Sequence, residues 1–465
     1  MTASYITGTH IRNHHKCERL TYLNFHGDLS QKLPLTDFRR QLIEQSQQYE
    51  ASIVSRLPHA RPEYQAGDFL SGFHQTLRLM EAGENRIYKP VLLQEPYLGL
   101  PDFLERVPGC SGFGNFRYRV AEIKRGLSLK KEYTLPIVFY SYLLSSIQGV
   151  WPTTGRVILG DGTEKEFSIA PYRETLTAIL QEIAAVQAGK EPLHNIGARC
   201  RHCGWRKVCL EEAKERKDLS LLFNLREPVR QVLLAQGITT FTDLAKADLQ
   251  RLRIPKEYAD VVHRLQLQAQ VWEQQQVVLL RRPSLPQAPV ELFLDMEEDA
   301  ESRCNYLFGV LIRRGEEEEY RPFLARRPVK TELRRLWKDF LRFIAPLDRF
   351  VIYHFDQHER VQLEHFATEY GIDTPLYRRL VRSLVDLYPI IISSVVLPLH
   401  SYSIKVIADY LGFRWSDTAA SGAQAMYWYT QWLATRDERL LEAILQYNRE
   451  DCMATRVVKD WLATL

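Results

Sequence analysis

The sequence lacks long apolar segments, because no run approaches the roughly 20 apolar residues of a membrane-spanning helix. The opening stretch, MTASYITGTHIRNHHKC, is polar and lacks the apolar core of a signal peptide. Repeats and low-complexity segments are missing too. We therefore expect a cytoplasmic protein with no membrane partner, in which the seven cysteines are ligands or buried thiols rather than disulfides.

The sequence also lacks an excess of charge of either sign. Its 61 Lys and Arg residues face 57 Asp and Glu residues, which leaves a net charge of +4. Such a balance does not by itself indicate a nucleic-acid-binding protein, so any basic groove must be local. The 465 residues predict about three domains, and 45% hydrophobic against 25% charged residues is ordinary for globular protein.

Composition divides the chain into regions that predict an α/β multidomain protein. Residues 1–215 mix strand and helix patterns and end in a cluster of cysteines, whereas residues 216–278 are almost purely helical in pattern. Residues 279–290 contain three prolines, which disfavour helix and sheet and predict an extended linker. Residues 291–465 begin with strand patterns, VELFLDMEE and YLFGVLI, and continue with amphipathic helices.

An acidic residue and a Glu-x-Lys pattern occur close together in the first region. Asp102 lies in YLGLPDFLERV, where a strand would begin, and FRYRVAEIKRG supplies Glu122 and Lys124. Side chains alternate between the faces of a strand, so Glu122 and Lys124 point the same way. Two carboxylates bind a hard divalent cation, and a lysine beside them orients water or stabilises charge on a phosphate. The alternative is a surface strand with an ion pair.

A second acidic pattern divides between the start and the end of the last region. In LFLDMEED, Asp295 and Glu297 are two residues apart on a predicted strand and therefore share a face. In AILQYNREDCMATRVV, Tyr447 and Asp451 are four residues apart on a predicted helix and are therefore adjacent. The two patterns supply three carboxylates and a phenol hydroxyl.

Three cysteines occur within ten residues. The stretch CRHCGWRKVC contains Cys200, Cys203 and Cys209 in the spacing C-x2-C-x5-C. A soft metal or an iron–sulphur cluster usually takes four thiolates. Spacing alone does not choose between Zn²⁺ and a cluster. The cysteines that remain as a fourth ligand are Cys17, Cys110, Cys304 and Cys452.

The acidic pattern of the first region resembles the RecB type of PD-(D/E)xK nucleases, which have a restriction-endonuclease-like α/β core. The resemblance implies a Mg²⁺ or Mn²⁺ site formed by Asp102, Glu122 and the main-chain carbonyl of Ile123. It also implies that Lys124 assists the attacking water.

Two other positions of the RecB type have matches in the first region. Glu50, in QQYEASIVSRL, matches an upstream helical acid, although an exposed helix glutamate is an equally good interpretation. Tyr140, in LPIVFYSYLL, matches the tyrosine of a downstream helix, where it would be catalytic. Pro136 stands where the family has a glutamine, which removes one polar contact.

The cysteine spacing resembles the iron–sulphur branch of these nucleases, in which one cysteine before the core joins three after it. The resemblance implies a [4Fe–4S] cluster, with Zn²⁺ as the alternative. Ligands so far apart in the chain would tie the two ends of the domain together. The implied ligands are Cys17, Cys200, Cys203 and Cys209.

The acidic pattern of the last region resembles the ribonuclease H-like exonucleases of the DEDD type. In these proteins four carboxylates hold two metal ions, and a tyrosine or histidine orients the water. The resemblance implies metal binding by Asp295, Glu297 and Asp451, and a catalytic role for Tyr447.

The fourth acid of the DEDD type has two candidates in VIYHFDQHE. Glu359 aligns better than Asp356, because it lies at the start of the helix that follows. The family usually has an asparagine near the position of His354 and an aspartate near the position of Glu359, so this motif is altered.

The middle region resembles a helix-hairpin-helix unit. AQGITTFTDLA would supply its turn at Gly237 and a helix cap at Thr240. Such hairpins contact DNA phosphates through backbone N–H groups, without reading sequence. A plain helical spacer is the alternative.

The three resemblances cover essentially the whole chain and imply a metal-dependent nuclease with two active sites. The implied substrate is DNA, hydrolysed by an exonuclease that acts on single strands or on ends. One alternative is a non-catalytic nucleic-acid-binding adaptor in DNA repair or CRISPR adaptation, which the altered motif positions favour. The other is a protein in which only one of the two domains cuts.

Overall fold

The chain is a mixed α/β protein that forms two compact units. The computed structural model describes residues 5–299, 304–417 and 421–465. Within these ranges no helix combines the length and the apolar character that crossing a membrane requires. The first unit comprises Met1–Leu35 and Arg39–Cys209, and the second comprises Thr36–Phe38 and Leu210–Leu465.

The first unit alternates short strands with helices. Its strands are β1 (Ile6–Thr7), β2 (Arg86–Tyr88), β3 (Leu92–Gln94), β4 (Tyr97–Gly99), β5 (Phe103–Ser111), β6 (Gly114–Ile123), β7 (Thr154–Ile158) and β8 (Glu164–Ser168). Its helices are α1 (Gly8–Lys16), α2 (Glu18–His26), α3 (Asp37–Val54), α4 (Phe69–Glu81), α5 (Lys131–Gln148) and α6 (Arg173–Gln187), and α7 (Arg206–Glu215) continues into the second unit.

The core of the first unit is a five-stranded sheet with the order β2-β5-β6-β7-β8. β2, β5 and β6 are antiparallel, and β7 returns parallel to β6 after the crossover through α5. The alternation of β6 explains its position: Tyr118 and Val120 pack in the core that α5 also enters, whereas Ala121 and Ile123 face a second cluster with Phe103. This topology brings the start of β5 beside the end of β6.

The second unit combines short helices with a longer α/β part. Its strands are β9 (Val278–Leu279), β10 (Val290–Asp299), β11 (Cys304–Arg314), β12 (Glu317–Leu324), β13 (Phe350–His354), β14 (Leu384–Asp386) and β15 (Val395–Val396). Its helices are α8 (Glu227–Leu234), α9 (Phe241–Lys246), α10 (Ala259–Gln274), α11 (Lys330–Ile344), α12 (His358–Tyr370), α13 (Thr374–Ser383), α14 (Leu387–Ser394), α15 (Ile404–Tyr410), α16 (Gly422–Thr435) and α17 (Glu438–Ala463).

The core of the second unit is a sheet with the order β12-β11-β10-β13-β14. β10, β11 and β12 form an antiparallel meander, and β13 and β14 add parallel strands through helical crossovers. One face of the sheet packs against α11 and α16, and the other packs against α14, α15 and the second half of α17. Both faces are covered, which explains the nearly unbroken apolar pattern of β11.

The helical region and the proline-rich segment are packed parts of the second unit. β9 pairs with β15, and Phe223 stacks on Tyr402 with 4.5 Å between ring centres. The segment between β9 and β10 contains no helix or strand, and it packs against the rest of the unit. Leu285 packs against the sheet core, and the Tyr353 hydroxyl donates a hydrogen bond to the Pro286 carbonyl at 2.5 Å.

Candidate active sites

Three acids of the second unit converge at the sheet. Asp295 and Glu297 project from the same face of β10, and α17 crosses this face and brings Asp451 to them. One carboxylate oxygen from each residue lies within 4.8 Å of the others. Among the residues that the structure describes, they are the one set of three or more His, Cys, Asp or Glu side chains arranged so closely.

The carboxylates of this set repel one another, with Glu297 and Asp451 buried and Asp295 half-buried. Burial raises the pKa of Asp295 well above its ordinary value, and the charges of Asp451 and Glu297 raise it further. Burial and Asp451 likewise raise the pKa of Glu297, and burial raises that of Asp451. Buried carboxylates in such proximity need positive charge, and oxygen ligands suit hard divalent cations.

A hydrogen-bond network supported by Asn448 holds the first acid in place. The Asn448 amide donates to Asp295 Oδ2 at 2.8 Å, and the Tyr320 hydroxyl donates to Asn448 Oδ1 at 2.8 Å. Gly309, which lies opposite Asp295 in the sheet, makes room for this network, because a Cβ there would lie 1.5 Å from Asn448 Oδ1. Asn448 was not among the predicted site residues, although a glycine within an apolar strand often marks such a close approach.

Aromatic groups and a lysine surround Asp451. Its carboxylate accepts hydrogen bonds from the Tyr447 hydroxyl and, at 2.7 Å, from Trp415 Nε1. Lys405 Nζ lies 4.5 Å from the centre of the Tyr447 ring and 5.2 Å from that of Trp415. Burial and the charge of Asp451 raise the pKa of Tyr447, so its hydroxyl stays protonated and acts as a donor. Because no local spacing links Lys405 or Trp415 to the acids, neither was predicted as a site residue.

Of the two candidates for a fourth acid, the structure places Glu359 near the set. Glu359 is buried in the first turn of α12, and its charge raises the pKa of both Asp295 and Glu297. Its Oε2 has no hydrogen-bond partner within the described part of the chain, and His354 Nδ1 lies 3.6 Å away. Asp356 is exposed, and its carboxylate accepts from the N–H of the next residue at 2.7 Å.

Comparison with known families identifies this part of the chain. The model of the RNase H superfamily matches residues 292–463. These residues form an RNase H-like domain. Members of this superfamily are usually nucleases that act on nucleic acid with divalent metal ions, and Asp295, Glu297 and Asp451 could bind such ions. A search of curated proteins finds no match to the chain.

In the first unit, the structure brings Asp102, Glu122 and Lys124 together. The N–H of Asp102 donates to Glu122 Oε1 at 3.1 Å, and the N–H of Ile123 donates to Asp102 Oδ2 at 2.8 Å. Lys124 Nζ contacts the Glu122 carboxylate and lies 3.7 Å from Asp102 Oδ2. Burial, followed by the charge of Asp102, raises the pKa of Glu122 to about 7.

A second lysine connects Glu50 to this group. Lys89 Nζ lies 2.6 Å from Asp102 Oδ1 and 2.7 Å from Glu50 Oε1, which also accepts from the Tyr88 hydroxyl at 2.9 Å. Burial works to raise the pKa of Asp102, but Lys124 and Lys89 hold it below its ordinary value. Lys89 was not predicted as a site residue. It follows β2 with a φ of +47°, a backbone conformation that no pattern of residues predicts.

Tyr140 lies on α5, close to the acids of the first unit. Burial raises its pKa well above the ordinary value, and the charges of Glu122 and Asp102 add to the effect. Pro136 is buried one turn earlier in the same helix. The glutamine contact that the RecB resemblance would supply at this position is therefore replaced by an apolar ring.

The four cysteines Cys17, Cys200, Cys203 and Cys209 come together in the first unit. Cys17 lies at the junction of α1 and α2, where it caps both helices. Burial raises the pKa of Cys17, Cys200 and Cys209, the last to about 12, and in each case the charges of other members of the group contribute. Of the other cysteines, Cys110 is exposed, whereas Cys304 and Cys452 are buried in the second unit.

The N–H groups of residues 237–240, at the predicted hairpin turn, already have acceptors within the chain. Gly237 adopts a φ of +79°, and Thr240 caps α9 as predicted. The N–H groups of Thr239 and Thr240 donate to the Asp243 carboxylate at 3.1 and 2.8 Å, and those of Gly237 and Ile238 donate to carbonyls of α8. Because Asp243 occupies the turn with a negative charge, the predicted contact to DNA phosphates is disfavoured at this position.

We predict that Asp451→Asn stabilises the metal-free protein. Asparagine keeps an oxygen acceptor for Tyr447 and Trp415 but removes the charge that opposes Asp295 and Glu297. Relief of about 1 kcal/mol would raise the melting temperature by about 2–4 °C. Mn²⁺ should raise the melting temperature of the wild type and have a much smaller effect on the variant.

The matched control is Asp356→Asn, which removes an exposed acid and should leave both melting temperatures unchanged. In the metal-free wild type, the raised pKa values mean that the folded state binds more protons than the unfolded state. Stability should therefore fall as the pH rises above the ordinary carboxyl range. An Asp451→Asn protein that is less stable than the wild type in the absence of metal would contradict this account.

Proposed function

We propose that the protein is a metal-dependent nuclease that hydrolyses DNA phosphodiester bonds, as an exonuclease acting on single strands or ends. The observation that carries the proposal is the close approach of Asp295, Glu297 and Asp451 within an RNase H-like domain. Carboxylates this close together, with pKa values raised by burial and by neighbouring charge, are suited to holding divalent cations.

Different residues of the RNase H-like domain would have different roles in phosphodiester hydrolysis. Asp295, Glu297 and Asp451 would hold Mg²⁺ or Mn²⁺, with Glu359 as the fourth acid. The bound metal would supply an activated water and stabilise charge on the entering and leaving oxygens. The Tyr447 hydroxyl keeps its proton and donates a hydrogen bond to the Asp451 carboxylate. This hydrogen bond would hold the carboxylate in position.

We propose a second, RecB-like site in the first unit, where Asp102 and Glu122 would hold a metal ion with the Ile123 carbonyl. Lys124 contacts Glu122 and would stabilise charge on the phosphate. One observation favours the alternative in which only the RNase H-like domain cuts. Lys89 already contacts Asp102 and Glu50, so two ammonium groups neutralise the acids that a metal ion would use.

We propose further that Cys17, Cys200, Cys203 and Cys209 hold a [4Fe–4S] cluster. The donor set consists of four thiols that influence one another's charge. Four thiolates suit either a [4Fe–4S] cluster or a Zn²⁺ ion. The resemblance of the cysteine spacing to the iron–sulphur branch of RecB-like nucleases is what favours the cluster. Its role would be to connect the start and the end of the first unit.

The nuclease proposal predicts that Asp451→Asn reduces the cleavage rate of end-labelled single-stranded DNA in Mn²⁺ by at least about 100-fold, because a metal ligand is lost. Lys124→Ala should be compared with it on the same substrate. Partial loss in each variant would indicate that both sites cut, whereas a 100-fold loss in Asp451→Asn with wild-type cleavage by Lys124→Ala would indicate that the RNase H-like domain is the enzyme. A wild type that leaves DNA and RNA intact in Mg²⁺ and Mn²⁺ would overturn the proposal.

The cluster proposal predicts that Cys17→Ser abolishes iron binding, whereas Cys110→Ser, which changes an exposed thiol on β5, does not. Iron content and visible absorbance of anaerobically purified protein provide the measurement. Zinc in place of iron in the wild type would reject the cluster and keep the four-thiolate site. Normal iron content in Cys17→Ser would reject the proposed ligand set.

A further inference from the structure

A basic groove of about 650 Å³ lies on the RNase H-like domain, between β12 and α11. Four arginines from three elements line it: Arg314 at the end of β11, Arg321 on β12, and Arg335 and Arg342 on α11. Asp339 is the one acid among the lining residues. The near-neutral chain thus concentrates positive charge here, as a local nucleic-acid interface requires.

The arginines are held in position by neighbouring side chains. The Arg321 guanidinium lies 5.7 Å from the ring centre of Phe323 and 5.2 Å from that of Phe343. Arg335 contacts Glu332 at 2.7 Å, and Arg342 contacts Asp339 at 2.8 Å, yet both arginine side chains remain more than half exposed. Guanidinium groups fixed in this way and open to solvent are suited to phosphate oxygens.

The groove and the acids lie on opposite faces of the same sheet, linked by its edge strand. Tyr320 and Arg321 are neighbours on β12 and therefore point to opposite faces. Tyr320 donates to Asn448, which binds Asp295, whereas Arg321 lines the groove. A nucleic-acid strand that passes over the edge formed by β12 would contact the groove on one face of the sheet. Its end would lie at Asp295, Glu297 and Asp451 on the other face.

The groove is poorly suited to a peptide that would extend the sheet. β12 is an edge strand, and Pro322 within it has no N–H group to offer to a further strand. Ligand binding in the groove would therefore depend on the guanidinium groups. Glu317, which lies opposite Arg314 in the sheet, reduces the positive charge at the hairpin end, so Arg321, Arg335 and Arg342 carry most of the attraction.

We propose that this groove binds the phosphate backbone of a nucleic-acid strand whose end occupies the acidic site of the same domain. The inference rests on the proposed nuclease function and adds a second contact surface to it. Binding at the groove would not depend on base sequence, because guanidinium groups that contact phosphates carry no information about the bases.

The test is the binding of fluorescein-labelled oligothymidylate to the full chain at several salt concentrations. The combined substitution Arg321→Gln, Arg335→Gln and Arg342→Gln should weaken binding by about 10-fold or more and lower the slope of log K against log salt by about 2. Lysine at the same three positions should retain most of the slope. The stabilisation by Mn²⁺ should persist, because the acids are unchanged.

The matched control replaces three exposed arginines outside the groove, Arg251, Arg378 and Arg439, with glutamine and should bind like the wild type. Unchanged binding and slope in the groove variant, with a wild type that cleaves DNA, would overturn the groove alone. Equal losses with lysine and with glutamine would assign the arginines a structural role and also overturn it. A wild type that neither binds nor cleaves nucleic acid would overturn the proposed function, and the groove with it.

Discussion

The electrostatic repulsion among Asp295, Glu297 and Asp451 is the constraint that the structure of the RNase H-like domain must satisfy. One oxygen from each carboxylate lies within 4.8 Å of the others, and the charge of Asp451 raises the pKa of both Asp295 and Glu297. The fold maintains this arrangement with specific support: a glycine opposite Asp295 admits Asn448, and Tyr320 fixes the Asn448 amide. Stability is therefore traded for a site that needs a cation.

The acidic groups of the two units differ in how their charge is balanced. In the first unit, Lys89 and Lys124 contact the carboxylates directly. In the RNase H-like domain, the charge of Lys405 opposes the rise in pKa, yet the pKa of Asp295, Glu297 and Asp451 stays raised. The pKa of Asp102 is instead held below its ordinary value. This difference makes the acids of the RNase H-like domain the stronger candidate for metal binding, and it favours one intact active site as the alternative to two.

Local periodicity predicts much of both groups. The two-residue spacing of Asp295 and Glu297 on a strand, and the four-residue spacing of Tyr447 and Asp451 on a helix, are properties of single elements. The β10–β11–β12 meander and the cap at Thr240 were also predictable, because turn and capping residues act over a few positions.

Contacts between distant elements could not be predicted in the same way. Lys89 and Lys405 lie near the acids only in the folded chain, so no sequence spacing predicts their positions. Lys89 also adopts a left-handed backbone conformation. Composition predicted an extended linker at residues 279–290 but could not predict that Leu285 packs against the core, because prolines exclude regular structure without excluding burial. Similarly, the Asp243 carboxylate accepts hydrogen bonds from N–H groups of the turn, so these groups are not available to phosphates.

The central claim is that Asp295, Glu297 and Asp451 bind divalent cations, and anomalous diffraction from crystals soaked in Mn²⁺ tests it most directly. The account predicts Mn²⁺ in contact with the carboxylates of Asp295 and Asp451, with Asn448 still hydrogen-bonded to Asp295. No Mn²⁺ at these carboxylates, at a concentration where the same protein cleaves DNA, would contradict it.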